Sequence, residues 1–466
     1  MKYTFIKTLA LASLLSLGAC QDDFYDRKPY TSLPPADALK SESDMAAAAN
    51  GMYQGMRNAT LFLRGIPFMG DLMADNVYLS ASNSGRYLAQ FNYSVNSQNG
   101  DISGLWTQAY AVILRANNII NATVPETDAT KQLRGEALTV RALMYWELAK
   151  WFGKPYTLGA DAPGVPLVLT FDPSLKPARN KVSEVYDQIT KDLNQAFDLM
   201  TNTTKNSSFV TKYVAKGLLA KVLLYKGDYA GAKAAAQDLV DKGGYTLATS
   251  TGFNAYWANA ALTSAKLETI FEVSADGVGN VGFDALSNMY DQKGYGDGLC
   301  TKELYDLYSA TDVRRSLLVA GTRAGESVFI VNKYQQTSNA TEKDDGKVLR
   351  LADVILVLAE AYARTNDETN ALKYLNQIVQ RRDPSAKAIA STGAALLEDI
   401  ITERRKELAF EGDRYADLTR LGRDVKRSTQ YPAAARTILI TDTKRLAPIP
   451  QLELDANTSM VQNTGY

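Results

Sequence analysis

The chain has 466 residues, of which 51 are basic and 51 are acidic, so its formal net charge is zero. A neutral chain has no overall field that favours nucleic acid or an anionic surface. Histidine is absent, which excludes Ser-His-Asp and Cys-His catalysis and the usual histidine-bearing zinc sites. A glycosidase built on two carboxylates stays possible, because their separation in space cannot be obtained from sequence.

The first twenty residues have the pattern of a lipoprotein signal sequence. Lys2 and Lys7 precede an apolar run at residues 9–17, which Gly18-Ala19-Cys20 follows. The run is too short to cross a bilayer, which takes about 20 apolar residues. Small residues before a cysteine predict cleavage ahead of Cys20 and its acylation (palmitate included), with an ordinary secretory signal as the alternative. Cys300 is then without a disulfide partner, and we expect it to be a buried, small apolar residue.

Helical periodicity dominates the chain that follows. Apolar residues recur at three- and four-residue steps over 105–120 and 134–151, and a further helix is predicted at about 182–200. Gly153 and Pro155 are terminators for the second of these helices. The sequence therefore predicts a mainly α fold.

Two later segments, 214–243 and 349–382, look like copies of one helix–turn–helix unit. The spacing from Ala220 before the first turn to Ala232 after it equals the spacing from Ala359 to Ala371. Small residues there let antiparallel helices approach closely, and the unit resembles the tetratricopeptide repeat of about 34 residues. Such pairs cannot bury their apolar faces alone, so other pairs should stack on them. The candidates are 133–153 with 182–200 and 397–410 with 414–422.

Long irregular segments separate the helices at residues 58–104 and 244–345, which are rich in Gly, Asn, Ser and Tyr. Such segments are usually functional or disordered, and the many tyrosines argue against disorder. The string Gly277-Val278-Gly279-Asn280-Val281-Gly282 matches a dinucleotide-binding pattern and follows a strand-like segment at 269–273. No long helix opens at its third glycine and no βαβ series surrounds it, so we interpret it as a glycine-rich loop. We expect no cofactor and no metal.

Tyrosines in these irregular segments are the candidates for a ligand surface. An aromatic face can stack on the C–H face of a sugar ring while polar neighbours bond its hydroxyls. We therefore expect binding at residues 68–95 and 276–298, not on the helical repeats. The predicted stacking rings are Tyr78, Tyr87, Tyr290 and Tyr295, with Tyr93 as a further candidate for an exposed ring; the predicted polar partners are Asp71, Asp75, Asn76 and Arg86. No catalytic residue is assigned.

An ordered set of motifs resembles the SusD/RagB family, the surface lipoproteins with which Bacteroidetes capture nutrients. These motifs include Gly135-Glu136-Ala137 followed by Arg141-Ala142, then Leu223-Leu224-Tyr225-Lys226-Gly227-Asp228-Tyr229, then Glu403-Arg404-Arg405-Lys406-Glu407-Leu408-Ala409-Phe410-Glu411-Gly412-Asp413-Arg414, and finally Gln462-Asn463-Thr464-Gly465-Tyr466. We interpret the charges at 403–407 as ion pairs on the helix surface and between helices.

The resemblance implies a tetratricopeptide-type scaffold with long irregular loops that carry the binding surface. It implies binding of oligosaccharides and their delivery to a SusC-type TonB-dependent transporter, without catalysis. It also implies attachment through the lipid to the outer membrane, facing the cell exterior. Peptide capture by the same architecture and the carboxylate-pair glycosidase are the alternatives. The predicted division is a signal peptide at 1–19, helical regions at 20–243 and 346–466, and a loop-rich segment at 244–345.

Overall fold

The computed structural model describes residues 39–203, 206–258, 267–336 and 343–466. This part of the chain is mainly helical, as predicted. Its helices are α1 (Glu42–Met56), α2 (Gly65–Leu72), α3 (Leu88–Phe91), α4 (Gly100–Ile120), α5 (Asp128–Phe152), α6 (Tyr156–Gly159), α7 (Val182–Leu199), α8 (Lys212–Lys226), α9 (Tyr229–Lys242), α10 (Phe253–Ala258), α11 (Leu286–Tyr290), α12 (Lys302–Tyr305), α13 (Leu351–Arg364), α14 (Glu368–Arg382), α15 (Gly393–Glu407), α16 (Asp413–Arg420) and α17 (Gln451–Ala456).

The three long helices predicted in the first half of the chain are confirmed as α4, α5 and α7. Two of them begin several residues before the apolar pattern does, because polar caps lie upstream. The side chain of Asn99 accepts a hydrogen bond from the backbone N–H of Ile102, and the side chain of Thr127 accepts one from Thr130. Such caps satisfy N–H groups that the first helical turn leaves without partners.

Both predicted repeat units are present, as α8 with α9 and as α13 with α14. Asp228 and Asp367 cap the second helix of each unit, and Gly227 turns the chain between α8 and α9 with a φ of 83°. The four alanines that define the repeat are fully buried, as are the leucines and isoleucine between the helices: Leu219, Leu239, Leu358, Leu375 and Ile378. Helix α9 packs on α13, so the two units form one stack.

Of the two further helix pairs that the sequence predicts, one forms and the other does not. Helices α5 and α7 pack on each other, which confirms the first pair. In the second, α15 packs on α13 and α14, whereas α16 packs mainly on α2 and α6, so this pairing is wrong. Helix α16 packs on α2 instead of on α15 because of the turn that joins α15 to α16, where Phe410 and Gly412 have positive φ angles. Gly412 lies so close to Gly70 of α2 that a Cβ atom added at Gly70 would be 2.0 Å from the Gly412 oxygen.

Strands connect the irregular segments. They are β1 (Val77–Leu79), β2 (Thr269–Val273), β3 (Gly298–Cys300), β4 (Leu318–Arg323), β5 (Glu326–Val331), β6 (Gly346–Arg350), β7 (Val425–Lys426) and β8 (Thr437–Ile438). The largest sheet has the order β1-β3-β5-β4 with antiparallel pairing, and β2 pairs with β6. Strand β2 confirms the strand-like pattern at 269–273. The short β1 and β3 had no such pattern in the sequence.

A buried charge cluster joins β6, α14 and α15 to the irregular segments. It contains five acidic and five basic residues linked by ion pairs: Glu268, Asp312, Glu403, Glu407 and Glu411 with Arg314, Lys333, Arg350, Arg382 and Lys406. Glu403 and Glu407 are almost fully buried. The prediction of ion pairs between helices is therefore right for 403–407, but the prediction of a surface position is wrong, because α15 packs between other elements.

Within the described ranges, no helix is long and apolar enough to cross a membrane. Cys300 is free and buried, as expected, and burial raises the pKa of its thiol. The predicted acylation site, Cys20, lies outside the described residues.

Candidate functional site

Strand pairing brings the two predicted loop segments together. Strands β1 and β3, one from each segment, are hydrogen-bonded neighbours. The backbone N–H of Ser84 donates to Asp297 at 2.8 Å. Arg323 from β4 donates to the carbonyl oxygens of Ser82 and Tyr295 at 2.9 and 2.8 Å. Residues far apart in the sequence thus form one continuous surface.

The glycine-rich loop at 276–284 is attached at both of its ends. At its start, the Asp276 carboxylate accepts two hydrogen bonds from Arg57 at 3.2 and 3.3 Å. Just beyond its end, the backbone N–H of Leu286 donates to the carbonyl of Leu63 at 2.9 Å. The backbone carbonyl of Asp276 also accepts from Asn280, which closes a turn inside the loop. These contacts hold the loop against the connection between α1 and α2.

A partly exposed group of aromatic and charged side chains lies at the end of this loop, with one buried member, Arg64. We call Arg64, Arg86, Phe283, Asp284 and Tyr295 the loop cluster. The guanidinium carbon of Arg86 lies 3.9 Å from the centroid of the Tyr295 ring, and the Phe283 ring meets the same ring edge to face at 4.7 Å between centroids. Phe283 is 56% exposed, so its ring is accessible at the surface.

Asp284 connects the charges of the loop cluster. Its carboxylate accepts a hydrogen bond from Arg64 at 2.5 Å and lies 3.9 Å from Arg86. Partial burial and the nearby Asp284 carboxylate raise the pKa of Tyr295, so its phenol stays protonated and donates to Asp284 at 3.4 Å. The cluster therefore offers an exposed ring, a stacked cation and a carboxylate side by side. This combination suits a ligand with both apolar faces and polar groups.

Several tyrosines that the sequence predicted as exposed rings are instead buried: Tyr78, Tyr87, Tyr93 and Tyr290. The Tyr290 ring lies between Phe68, at 5.6 Å, and Tyr334, at 6.1 Å. The hydroxyl of Tyr87 accepts a hydrogen bond from Arg64 at 2.9 Å, and its ring packs on Phe68. The expectation of exposure is therefore wrong for these four. The pairing of β1 with β3 and the short helices around it turn loop tyrosines into core.

Asp71 and Asn76 also lie inside the protein. The Asp71 carboxylate accepts from the Asn76 side chain at 2.7 Å and from the backbone N–H of Gly412 at 2.8 Å. Asn76 in turn accepts from Arg405 at 2.8 Å. Burial raises the pKa of Asp71 to about 7. Asp71 thus fixes α2 to the turn after α15, Asn76 bonds to α15 itself, and both side chains are buried.

Asp75 has a similar role on the same face of the fold. Its carboxylate accepts two hydrogen bonds from Arg414, at 2.8 and 2.9 Å, and forms an ion pair with Arg405. Burial alone would raise its pKa, but the two guanidinium groups outweigh burial and lower it. Of the eight predicted ligand residues, the structure therefore places only Arg86 and Tyr295 at the surface together.

Phe283 and Asp284 belong to the same surface, and the buried Arg64 bonds to Asp284; none of the three was predicted. One signal in the sequence marked Phe283, because it is a large apolar residue in a run of glycines, Asn280 and small residues, with no helical or strand periodicity. No such signal marked Arg64. Its position depends on the connection from α1 to α2, whose backbone conformation has no simple sequence pattern.

A pocket lies beside Arg57, the residue that bonds to Asp276 of this loop. The pocket has a volume of about 250 Å³ and lies between α1 and β2. Its lining includes Asn50, Tyr53, Gln54, Arg57 and Phe209. Among the residues that the structure describes, no group of three or more acidic or cysteine side chains could hold a metal ion. The loop cluster and this pocket are two features near the predicted segments, and Val278 of the same loop is also exposed.

Two family models match the chain, and together they span most of it. A family described as starch-binding associating with outer membrane matches residues 23–224, and the SusD family matches residues 323–466. The chain belongs to the SusD family. The SusD-like protein P2 of Formosa agariphila is 27% identical to it, with 100% of this chain and 99% of that protein covered.

Solved structures of the SusD superfamily share the fold. A protein from Bacteroides vulgatus, described as a candidate sugar-binding protein, is 31% identical with a TM-score of 0.83, and the match covers 92% of this chain and 99% of that one. A SusD superfamily protein from the same species has a TM-score of 0.85 at 28% identity, covering 92% and 100% of the two chains. The tetratricopeptide-type architecture is therefore shared with these SusD relatives.

The structure also explains what the family motif at 403–414 does. Its charged residues enter the buried charge cluster through Glu403, Glu407 and Glu411, while Arg405 and Arg414 hold Asp75. The motif therefore belongs to the SusD scaffold and not to a ligand site.

Proposed function

We propose that this SusD-family protein binds oligosaccharides at the loop cluster without cleaving them. The observation that carries the proposal is the exposed ring of Phe283 beside the stacked Arg86 and Tyr295. An exposed aromatic ring can stack on the C–H face of a sugar, and the adjacent charged groups can bond its hydroxyls. Of the residues predicted from sequence, Arg86 and Tyr295 stay in this proposed site. The relative described as a candidate sugar-binding protein supports the choice of ligand.

The second part of the proposal concerns location and partner. We propose that acylated Cys20 anchors the protein to the outer face of the outer membrane. We also propose that the protein delivers the bound sugar to a SusC-type TonB-dependent transporter. The match of residues 23–224 to a family associated with the outer membrane supports this location. We also propose the boundaries near 243 and 345, since α9 ends at Lys242 and β6 begins at Gly346.

The alternatives have less support. A carboxylate-pair glycosidase needs one accessible carboxylic acid with a raised pKa beside a second carboxylate. Asp71 has the raised pKa but is fully buried. Peptide capture would use the same surface, and a binding assay that includes peptides separates it from sugar capture.

The test is a panel of oligosaccharides and peptides, with affinity measured by calorimetry and products measured by chromatography. We expect stoichiometric binding of an oligosaccharide without product. Phe283→Ala should weaken binding by about 1–3 kcal/mol at an unchanged melting temperature.

Tyr290→Ala is the matched control, because this ring is buried and its loss should destabilise the fold by about 3–5 kcal/mol. Catalytic turnover that one Asp or Glu substitution abolishes would overturn the proposal. Binding of peptides alone, or full affinity in Phe283→Ala, would also contradict it.

A further inference from the structure

Arg86 is positioned as a donor that still has room for an acceptor. Its guanidinium carbon lies over the Tyr295 ring, 3.9 Å from the ring centroid, and the side chain is 39% exposed. Within the ranges that the structure describes, it donates no hydrogen bond of its own; its nearest carboxylate oxygen is 3.9 Å away, on Asp284. A guanidinium carries five N–H donors in its plane, so stacking on a ring fixes this plane and leaves its edge open.

The carboxylate of the loop cluster already has a nearer partner. Asp284 bonds to Arg64 at 2.5 Å, so one carboxylate serves two guanidinium groups. A deeper carboxylate, Asp101, also lies near both arginines, but burial raises its pKa and it accepts a hydrogen bond from Gln90. In the part of the chain that the structure describes, no hydrogen bond joins Arg86 to Asp101 or to Asp284.

A third guanidinium adds to this excess of donors. Arg323 donates to the carbonyl oxygens of Ser82 and Tyr295, which carry no full charge. Its Nε is buried and has no hydrogen-bond partner in the described structure. Within the described ranges, the Arg86 guanidinium and the Nε of Arg323 are thus N–H donors without a hydrogen-bond acceptor. A ligand group that only accepts hydrogen bonds complements these donors better than a hydroxyl group, which both donates and accepts.

We infer that the oligosaccharide bound at the loop cluster carries an anionic group, a uronate carboxylate or a sulfate ester, that bonds to the edge of the Arg86 guanidinium. The planar fork of two N–H groups matches two oxygens of either anion. Phe283 then contacts the apolar face of a sugar ring beside that group. The inference rests on the proposed function, because it names the class of sugar for the same site.

Two matched pairs of probes test the inference. One pair is oligogalacturonate and its carboxyl-reduced form; the other is a sulfated galactan oligosaccharide and its desulfated form. We expect the anionic member of at least one pair to bind about tenfold or more tighter than its neutral counterpart, the size of one charge-assisted contact. Arg86→Gln should abolish this difference, and Arg86→Lys should restore only part of it, because an ammonium cannot form the planar fork.

Lys293→Gln is the control, since Lys293 is an exposed cation on the same segment. It should leave the preference unchanged. If Arg86→Gln and Lys293→Gln weaken binding of the anionic probe equally, the preference comes from general electrostatic attraction and the inference is wrong. If a neutral oligosaccharide of the wider panel binds as tightly as every anionic probe, the inference fails while the proposed function stands. If no oligosaccharide binds, the proposed function itself fails.

Discussion

Replacing Glu407 by glutamine should destabilise the fold strongly, because Glu407 lies at the centre of the buried charge cluster. Its carboxylate accepts from Arg314 at 2.9 Å, from Arg350 at 3.0 Å and from Arg382 at 2.9 and 3.1 Å. The variant leaves five buried cations opposite four anions, and it turns an amide NH₂ group toward guanidinium donors. Removing one partner of a buried ion pair costs about 3–5 kcal/mol, since the charge left behind is uncompensated.

Thermal unfolding followed by circular dichroism measures this loss. For a chain of this length, 3–5 kcal/mol corresponds to about 3–5 °C in melting temperature. The control is Glu398→Gln, which breaks an exposed ion pair with Arg423 and should cost less than about 1 kcal/mol. A melting temperature for Glu407→Gln that equals that of the control would refute the reasoning and show that water solvates the cluster.

The pH dependence gives an independent check on the same variant. Burial alone would raise the pKa of Glu407, but Arg382, Arg350 and Arg314 outweigh burial and hold it well below its ordinary value. A lowered carboxylate pKa stabilises the folded state above the unfolded-state pKa, and this stabilisation is lost as the pH falls through the folded-state pKa. The stability gap between the wild type and Glu407→Gln should therefore be full at pH 7 and narrow below about pH 4. A gap that does not change with pH would contradict the charge explanation.

Three further predictions test other parts of the molecule. Gly70→Ala should unfold at a lower temperature than the wild type, because its Cβ would meet the backbone of Gly412, whereas Gly51→Ala, with open space around it, should be neutral or slightly stabilising. Burial raises the pKa of Asp71 to about 7, so the wild type should lose stability as the pH rises from about 4 to 7. Asp71→Asn has no such carboxyl group and should not show this loss. Identical pH profiles of the two proteins in urea unfolding would contradict the prediction. Cys20→Ala should be released from membranes of cells lacking the transporter, and retention in the membrane fraction would refute the lipid anchor.

The helical scaffold could be predicted because its signals are local. Residues at three- and four-residue steps define α4 and α5, and the equal spacing of Ala220–Ala232 and Ala359–Ala371 marks both repeats. These signals depend on burial along one helix face, which the sequence records directly. The pairing of α16 could not be predicted in the same way, since it depends on the positive φ angles of Phe410 and Gly412 in one turn.

The site was predictable only as a region. Composition located the two segments, but it could not separate Tyr295, which is only half-buried, from Tyr290, which is core, five positions earlier in the chain. That distinction depends on β1 pairing with β3, a contact between residues more than 200 positions apart. The same limit applies to Asp75, whose partners Arg405 and Arg414 are 330 and 339 positions away. A carboxylate with distant buried partners and one that faces a ligand have the same local sequence.

These distant contacts determine the order in which parts of the newly made chain can fold. Arg427 donates to the carbonyl oxygens of Leu72 and Ala74, 355 and 353 positions away, and Asp71 and Asp75 depend on residues 405–414. The first loop segment cannot reach its final form until nearly the whole polypeptide has emerged. Contacts of such long range slow folding, because the chain must close large loops first. We propose that the chain is exported, and with this topology it stays unfolded for longer, which suits passage through a translocation channel and prolongs its exposure to proteases and chaperones until its C-terminal residues arrive.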